Sequence, residues 1–152
     1  MSVRVQSEAF NLQDETNLLL HNRQDVGAVV TFTGLVRNQA QGRQITKMHL
    51  EHYPGMAEKE LNHIVETAKQ KWPLQAVRLI HRYGSLSPGE LIVCVITVSA
   101  HRDAAFHAAQ FIMDYLKTDA PFWKKEYFSD IENGEWVTAK QEDKSARENW
   151  KL

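Results

Sequence analysis

The segment Leu91-Ile92-Val93-Cys94-Val95-Ile96-Thr97-Val98 is apolar or β-branched at every position. A run of that length without polar alternation reads as a strand buried inside a sheet. Upstream, Ala57, Leu61, Ile64, Val65, Ala68 and Trp72 recur at helical spacing, opposite Glu58, Lys59, Asn62, Glu66 and Lys69. This amphipathic helix is expected to pack on a sheet, with Pro54 in its first turn and its end before Pro73. A second long helix is expected over residues 102–117, carried by Ala105, Ala108, Ala109, Ile112, Met113 and Leu116. Asp103 in its first turn favours the macrodipole. The helix ends near Thr118-Asp119, because the residue before Pro121 resists helical geometry.

The remaining elements are shorter. Val3-Arg4-Val5 alternates as a strand, and residues 12–22, with Leu18-Leu19-Leu20, suit a short helix. Residues 27–37 are rich in β-branched and aromatic side chains and read as a strand in which Gly34 marks a bulge or a close approach. Residues 38–44 are polar and contain Gly42, the pattern of an exposed loop, and residues 45–53 form a further strand that stops at Pro54. A strand over residues 77–84 connects to the Cys94 run through residues 85–90, where Pro88-Gly89 signals a turn. Residues 122–128 and 136–140 are strands whose connection contains the hairpin step Asn133-Gly134. The expected architecture is a single α+β domain over residues 1–140 with at least one antiparallel sheet, followed by a charged, loosely held tail over residues 141–152.

Charge narrows the functional classes. Eighteen basic and nineteen acidic residues in 152 give a net charge of −1, so no overall positive field exists to hold a nucleic-acid backbone or an anionic membrane. Any anion site must be local. The N-terminus has no basic segment followed by an apolar run, and no stretch reaches transmembrane length, so a cytoplasmic protein is expected. Cys94 is the only cysteine, which excludes an intramolecular disulfide, and within its apolar run it is expected to be a small inert hydrophobe.

The candidate chemistry lies at the ends of elements. Lys117 and Lys124 bracket the point where the second long helix runs into an aromatic strand, and a lysine stem among Phe111, Met113, Phe122 and Trp123 is partly desolvated. Desolvation and a second ammonium both disfavour the charged form of an amine, which can then act as base, nucleophile or anion clamp. The ordinary alternative is that both lysines bury their stems and keep their heads in water. His101 and Arg102 precede the same helix, where unpaired N–H groups and the helix dipole suit phosphate, although a cap with a solvent-facing arginine is the commoner outcome. Arg37 ends a strand, where its guanidinium suits bidentate contact with phosphate or carboxylate. Together Arg37, His101, Arg102, Lys117, Lys124 and Lys125 form a set of cations at element ends in a charge-balanced chain. His49, Glu51 and His52 are not expected to form a metal centre, because on a strand His52 points away from the other two. No Gly-rich phosphate loop and no serine nucleophile elbow is present, and no resident cofactor is expected.

Five ordered blocks carry a resemblance: residues 27–37; Leu50-Glu51-His52-Tyr53-Pro54-Gly55-Met56; His81-Arg82-Tyr83-Gly84; Ser99-Ala100-His101-Arg102; and residues 111–126. Over nearly the whole chain the sequence resembles the large, catalytic subunits of molybdopterin synthase. The resemblance implies an α/β hammerhead fold with an additional antiparallel β subdomain. It implies sulfurtransferase activity in molybdenum cofactor biosynthesis, in which cyclic pyranopterin monophosphate becomes molybdopterin by gaining a dithiolene. The sulfur would come from the C-terminal Gly-Gly thiocarboxylate of a small ubiquitin-like subunit, with a homodimer of the large subunit at the centre of a heterotetramer. By the same resemblance Lys117 and Lys124 are the catalytic pair. Arg37, His101, Arg102, Lys117, Lys124, Lys125 and Glu126 would bind substrate, and Phe32 and Met113 would line the channel for the partner's tail. Lys140 stands where relatives are expected to carry arginine. On the residues alone, a scaffold that captures a ubiquitin-like tail without chemistry is an alternative; a nucleic-acid binder is disfavoured by the charge.

Overall fold

The computed structural model describes residues 2–119, 121–137 and 141–150. In chain order the elements are β1 Val3–Gln6, α1 Leu12–Leu20, β2 Ala28–Leu35, β3 Gln39–Ala40, β4 Arg43–His52, α2 Met56–Lys71, β5 Leu74–Arg82, β6 Gly84–Leu86, β7 Leu91–Ser99, α3 Arg102–Asp119, β8 Phe122–Phe128, β9 Glu135–Val137 and α4 Gln141–Glu148. The class is α+β, as the pattern of elements requires. Two sheets share the strands: one has the order β1-β5-β7-β2, the other β3-β4-β8-β9 with β6 also paired to β4. Among the described residues, only β1 and β5 run parallel and every other strand pair is antiparallel.

The apolar run around Cys94 is the centre of the first sheet, with β5 on one side and β2 on the other. Alternation along β7 sends Val93 and Val95 toward α2 and α3, where they join Leu61, Ile64, Val65, Phe111 and Ile112. Cys94, Ile96 and Val98 face the other way and pack with Leu19 of α1. A strand covered on both faces cannot alternate in polarity, which is why this one reads as a continuous apolar run. Ala105 and Ala108 are fully buried in α3. Their small size lets the helix lie close to the sheet, and Thr97 Oγ1 donates to the Ala105 carbonyl at 2.7 Å to tie helix to strand.

The antiparallel run of β7 into α3 fixes the geometry that matters below. Ser99 pairs with Ala28 and Leu74 at one end of the sheet, and Val93 pairs with Gly34 and His81 at the other. Because α3 starts just after Ser99, its last turn lies at the His81 end, and β4, β6 and β8 of the second sheet are all entered from that same end. A third apolar cluster of Val36, Met48, Leu50 and Leu86, with Tyr83 and Ile92, joins the sheets there.

Several expectations are corrected. Residues 38–44 are not wholly loop, since Gln39 and Ala40 pair with Gln44 and Arg43 in a tight hairpin. The expected turn at residues 85–90 begins with a strand, because Ser85 and Leu86 pair with His49 and Met48. Pro54 lies before α2 rather than inside it; Gly55 is the cap, at φ 83°, a backbone conformation that favours glycine. Gln141–Glu148 form a helix packed on α3 rather than a loose tail, and residues 151–152 lie outside the described residues. Charge hid its docking, which depends on two side chains, Arg147 and Trp150. The bulge at Gly34 is present as a register shift between Gly34 and Leu35. Among the described residues no helix is long and apolar enough to cross a membrane.

Candidate active site

His81 occupies the inner face of β5, beneath the last turn of α3, and only 8% of its surface is exposed. Its ring stacks on Phe122 of β8 with centroids 3.8 Å apart. Nδ1 donates to the Arg82 carbonyl at 2.8 Å, which makes Nε2 the acceptor nitrogen of the neutral ring. Burial pushes its pKa down to about 4, with the positive charges of Lys117 and His52 acting in the same sense against the Arg82 carbonyl. His81 is therefore neutral at physiological pH. The neighbouring Arg82 is buried too, and clamps this strand end by donating to the carbonyls of Ser7 at 3.0 Å and Leu91 at 3.1 Å and to Glu90 at 3.2 Å.

Lys117, in the last turn of α3, is exposed rather than desolvated as expected; it lies at this end of the sheet, and its charge disfavours protonation of His81. Met113 lies one turn earlier on α3 and is 7% exposed in the main core. Phe32 pairs with Val95, so it faces the same side of the sheet as α3, and it is 39% exposed on the edge strand β2. Phe32 and Met113 thus both lie on the α3 side of the sheet.

Strand alternation sorts the residues of β8. Lys124 pairs with Leu50 and Phe122 with His52 on the inner face. His52 in turn lies 4.2 Å from Tyr83, ring centre to ring centre. Glu126, two residues beyond Lys124 on that face, is 7% exposed. Lys125 points to the other face, where its ammonium lies 5.3 Å from the Trp136 ring and 5.6 Å from the Tyr127 ring. It therefore does not share a face with Lys124, contrary to the expectation of one continuous cluster. His49 and Glu51 are on this outer face as well, 3.6 Å apart, with His49 Nδ1 3.1 Å from the Ser85 hydroxyl. The opposite orientation of His52 follows the expected alternation.

Arg37 is exposed just beyond β2, on an open depression of about 650 Å³ bordered by Val36, Asn38, Gln39, Pro88 and Gly89. Since Leu35 pairs with Leu91, Arg37 lies at the same end of the first sheet as His81 and Lys117. His101 and Arg102 do not. They stand at the start of α3, and 15 residues of helix rise place Arg102 about 22 Å from Lys117 along the axis. Both are exposed, and the His101 N–H reaches the Ser99 hydroxyl at 3.4 Å. The expectation that all six cations meet in one pocket fails within one chain, because a straight helix separates its own two ends. Lys140 lies outside the described residues. His81, His52 and Tyr83 were not among the expected site residues; their signal was their place in the two ordered blocks that carry none of the expected cations, Leu50–Met56 and His81–Gly84.

The family model for the MoaE protein matches residues 5–119. The chain belongs to the MoaE family. It is 51% identical over 150 residues to the molybdopterin synthase catalytic subunit of Mesorhizobium japonicum, covering 99% of this chain and 93% of that relative. It superposes on the molybdopterin cofactor biosynthesis protein E of Burkholderia multivorans with a TM-score of 0.82 and 44% identity, over 98% of this chain and 95% of that one. A more distant likeness, of fold alone, is to a Helicobacter pylori chain at TM-score 0.72 and 16% identity, covering 93% of this chain and 92% of that one. That structure is a protein–protein complex of subunits 1 and 2 of molybdopterin-converting factor. The MoaE-family chain is accordingly a catalytic enzyme subunit of molybdenum cofactor biosynthesis. Its fold is the α/β hammerhead with an added antiparallel subdomain.

Cys94 takes no part in the site. It is fully buried in β7, on the face toward α1, and burial pushes its thiol up to about 11. The thiolate needed for sulfur chemistry does not form there at neutral pH.

Proposed function

We propose that this subunit transfers sulfur to cyclic pyranopterin monophosphate, forming the dithiolene of molybdopterin with the C-terminal thiocarboxylate of a small ubiquitin-like carrier as donor. What supports the reading is that Lys117 ends α3 at the same end of the sheet as neutral His81, with Lys124 on the inner face of β8, in a protein whose own cysteine is buried. Sulfur must then arrive from outside. An extended Gly-Gly tail would run along the α3 side of the edge strand β2, past Phe32 and Met113, toward Lys117. Glycines suit such a passage because they lack side chains.

Each carrier gives up one sulfur. Its thiocarboxylate sulfur bonds to a substrate carbon as that carbon loses its oxygen substituent, water at one carbon and the ester oxygen of the opening cyclic phosphate at the other; water then cleaves the acyl–sulfur bond, leaving sulfur on the substrate, and the carrier departs as a carboxylate. Two carriers serve one dithiolene. Lys117 stabilises the negative charge that develops at the acyl carbon, and Lys124 stabilises charge or moves a proton on the substrate side, in a setting where fixed cations contribute several kcal/mol. Arg37 suits the anionic substrate at the same end, and Glu126 lies along the Lys124 face.

The helix length between Arg102 and Lys117 assigns His101 and Arg102 a part only if a second copy of the chain brings its helix start to this pocket. That arrangement agrees with a homodimer at the centre of a heterotetramer, each substrate site then using the phosphate-binding helix start of its neighbour. The test is dithiolene formation by purified protein with thiocarboxylated carrier and cyclic substrate. Lys117→Ala is expected to abolish product with the fold intact. Full turnover by both Lys117→Ala and Lys124→Ala would overturn the assignment.

A further inference from the structure

Lys117 sits in the last turn of α3, the part of a helix whose carbonyls lack intrahelical partners and which opens most readily. In this chain that turn is gripped from one side. Arg147 of α4 donates Nε to both carboxylate oxygens of Asp119 at 3.0 Å and a terminal nitrogen to Oδ2 at 2.9 Å. Its guanidinium also lies over the Tyr115 ring, 5.0 Å from the centroid. Three residues on, the Trp150 indole donates to Asp114 at 2.5 Å, and its ring meets Phe111 and Trp72 edge-on at 5.4 and 5.6 Å.

At about 100° of rotation per residue, Tyr115 and Asp119 point about 160° away from Lys117 around α3, while Asp114 lies about 60° from it. Arg147 thus grips the helix from the side away from Lys117. The seat of α4 is not densely packed, since a cavity of about 390 Å³ remains between it, α2 and α3, bordered by His63, Tyr115, Asp119 and Arg147. The C-terminal segment is therefore attached by a few specific contacts, the Trp150 ring against the core and the Arg147 and Trp150 hydrogen bonds. The Arg147–Asp119 pair is only partly buried, with side chains 39% and 27% exposed, so it adds little to global stability. Its effect is local.

We infer that α4 is a brace, and that Arg147 is a positioning residue which, through Asp119, fixes the last turn of α3 and so holds Lys117 at the reacting groups. The brace lies beyond the residues that the family model matches, which end at 119. The inference rests on the proposed role of Lys117. A displacement of about 1 Å at a catalytic group suffices for large rate losses, so unfastening this turn acts on the chemical step rather than on substrate binding.

The test uses the full chain with thiocarboxylated carrier, comparing Arg147→Ala, Arg147→Lys, Asp119→Asn and the Arg147→Ala/Asp119→Asn pair. Arg147→Ala is expected to lower kcat about tenfold while KM for the cyclic substrate changes less than about twofold. Amide hydrogen exchange should accelerate over residues 115–119 and stay unchanged in β5 and β7. The double variant should be no slower than either single one, because both break the same tie, and Arg147→Lys should recover part of the rate. Native kcat in Arg147→Ala and Asp119→Asn, with or without faster exchange, would overturn the brace. So would equal loss of protection throughout the sheet, which marks a merely structural role. If Lys117→Ala itself retains native turnover, the proposed function fails independently; if Lys117→Ala is inactive and Arg147→Ala fully active, only the brace fails.

Discussion

Replacing His81 by phenylalanine should make the protein less sensitive to acid. The folded pKa of His81 is about 4 against an ordinary value of 6.5, because burial penalises the charged ring and Lys117 and His52 repel it. The unfolded chain therefore takes up a proton first as pH falls. The sign follows: above pH 6.5 the group costs folding nothing, and between pH 6.5 and 4 its stability contribution is progressively lost. Integrating proton uptake by both states from pH 7 to 4.5 gives a loss of about 2 kcal/mol from this one residue. In His81→Phe the ring can keep its stack on Phe122 while the titrating nitrogen is gone. Urea unfolding of both proteins at pH 7, 5.5 and 4.5 measures the difference between the two stability profiles, in which the other titrating groups cancel. The native protein should lose about 2 kcal/mol more than the variant over that range. Parallel profiles, within about 0.5 kcal/mol of each other, would refute the account of a buried neutral histidine.

Lys117→Met should shift the His81 titration upward, seen in its ring-proton NMR signal, because a repelling charge is removed. Cys94→Ser should sustain sulfur transfer at near-native rate, and native protein should resist thiol-reactive dyes until unfolded; a large loss of turnover without loss of fold would contradict the inert thiol. Gly27→Ala should destabilise by about 2 kcal/mol or more, since its added carbon would stand 1.9 Å from the Ala100 carbonyl oxygen, and chemical denaturation reads this directly. Chains carrying Lys117→Ala and Arg102→Ala should each be inactive alone, yet after mixing and reassembly recover about a quarter of native activity, as random pairing in a two-fold dimer with composite sites requires. No recovery in confirmed mixed dimers would place Arg102 outside the shared pocket.

Most of the fold was legible because its signals are local. The uninterrupted run at Cys94, the helical spacing in residues 57–72 and the Asn-Gly step before β9 each report the environment of their own segment, and the structure places strand, helix and hairpin there. The misreadings were of segments whose structure depends on a partner far along the chain: β6 needs β4, and α4 needs Asp114, Asp119 and Trp72. By itself the sequence determined which residue types stand at element ends, that its cysteine lies in an apolar strand, and that its net charge excludes a general anion binder. Only tertiary structure decided how those ends meet. The antiparallel return of α3 over β7 brings Lys117 to His81, strand alternation turns Lys125 away from Lys124, and a helix some 25 Å long holds Arg102 apart from Lys117. Periodicity fixes the face a residue occupies within its own element, whereas distances between elements depend on packing that no local pattern encodes.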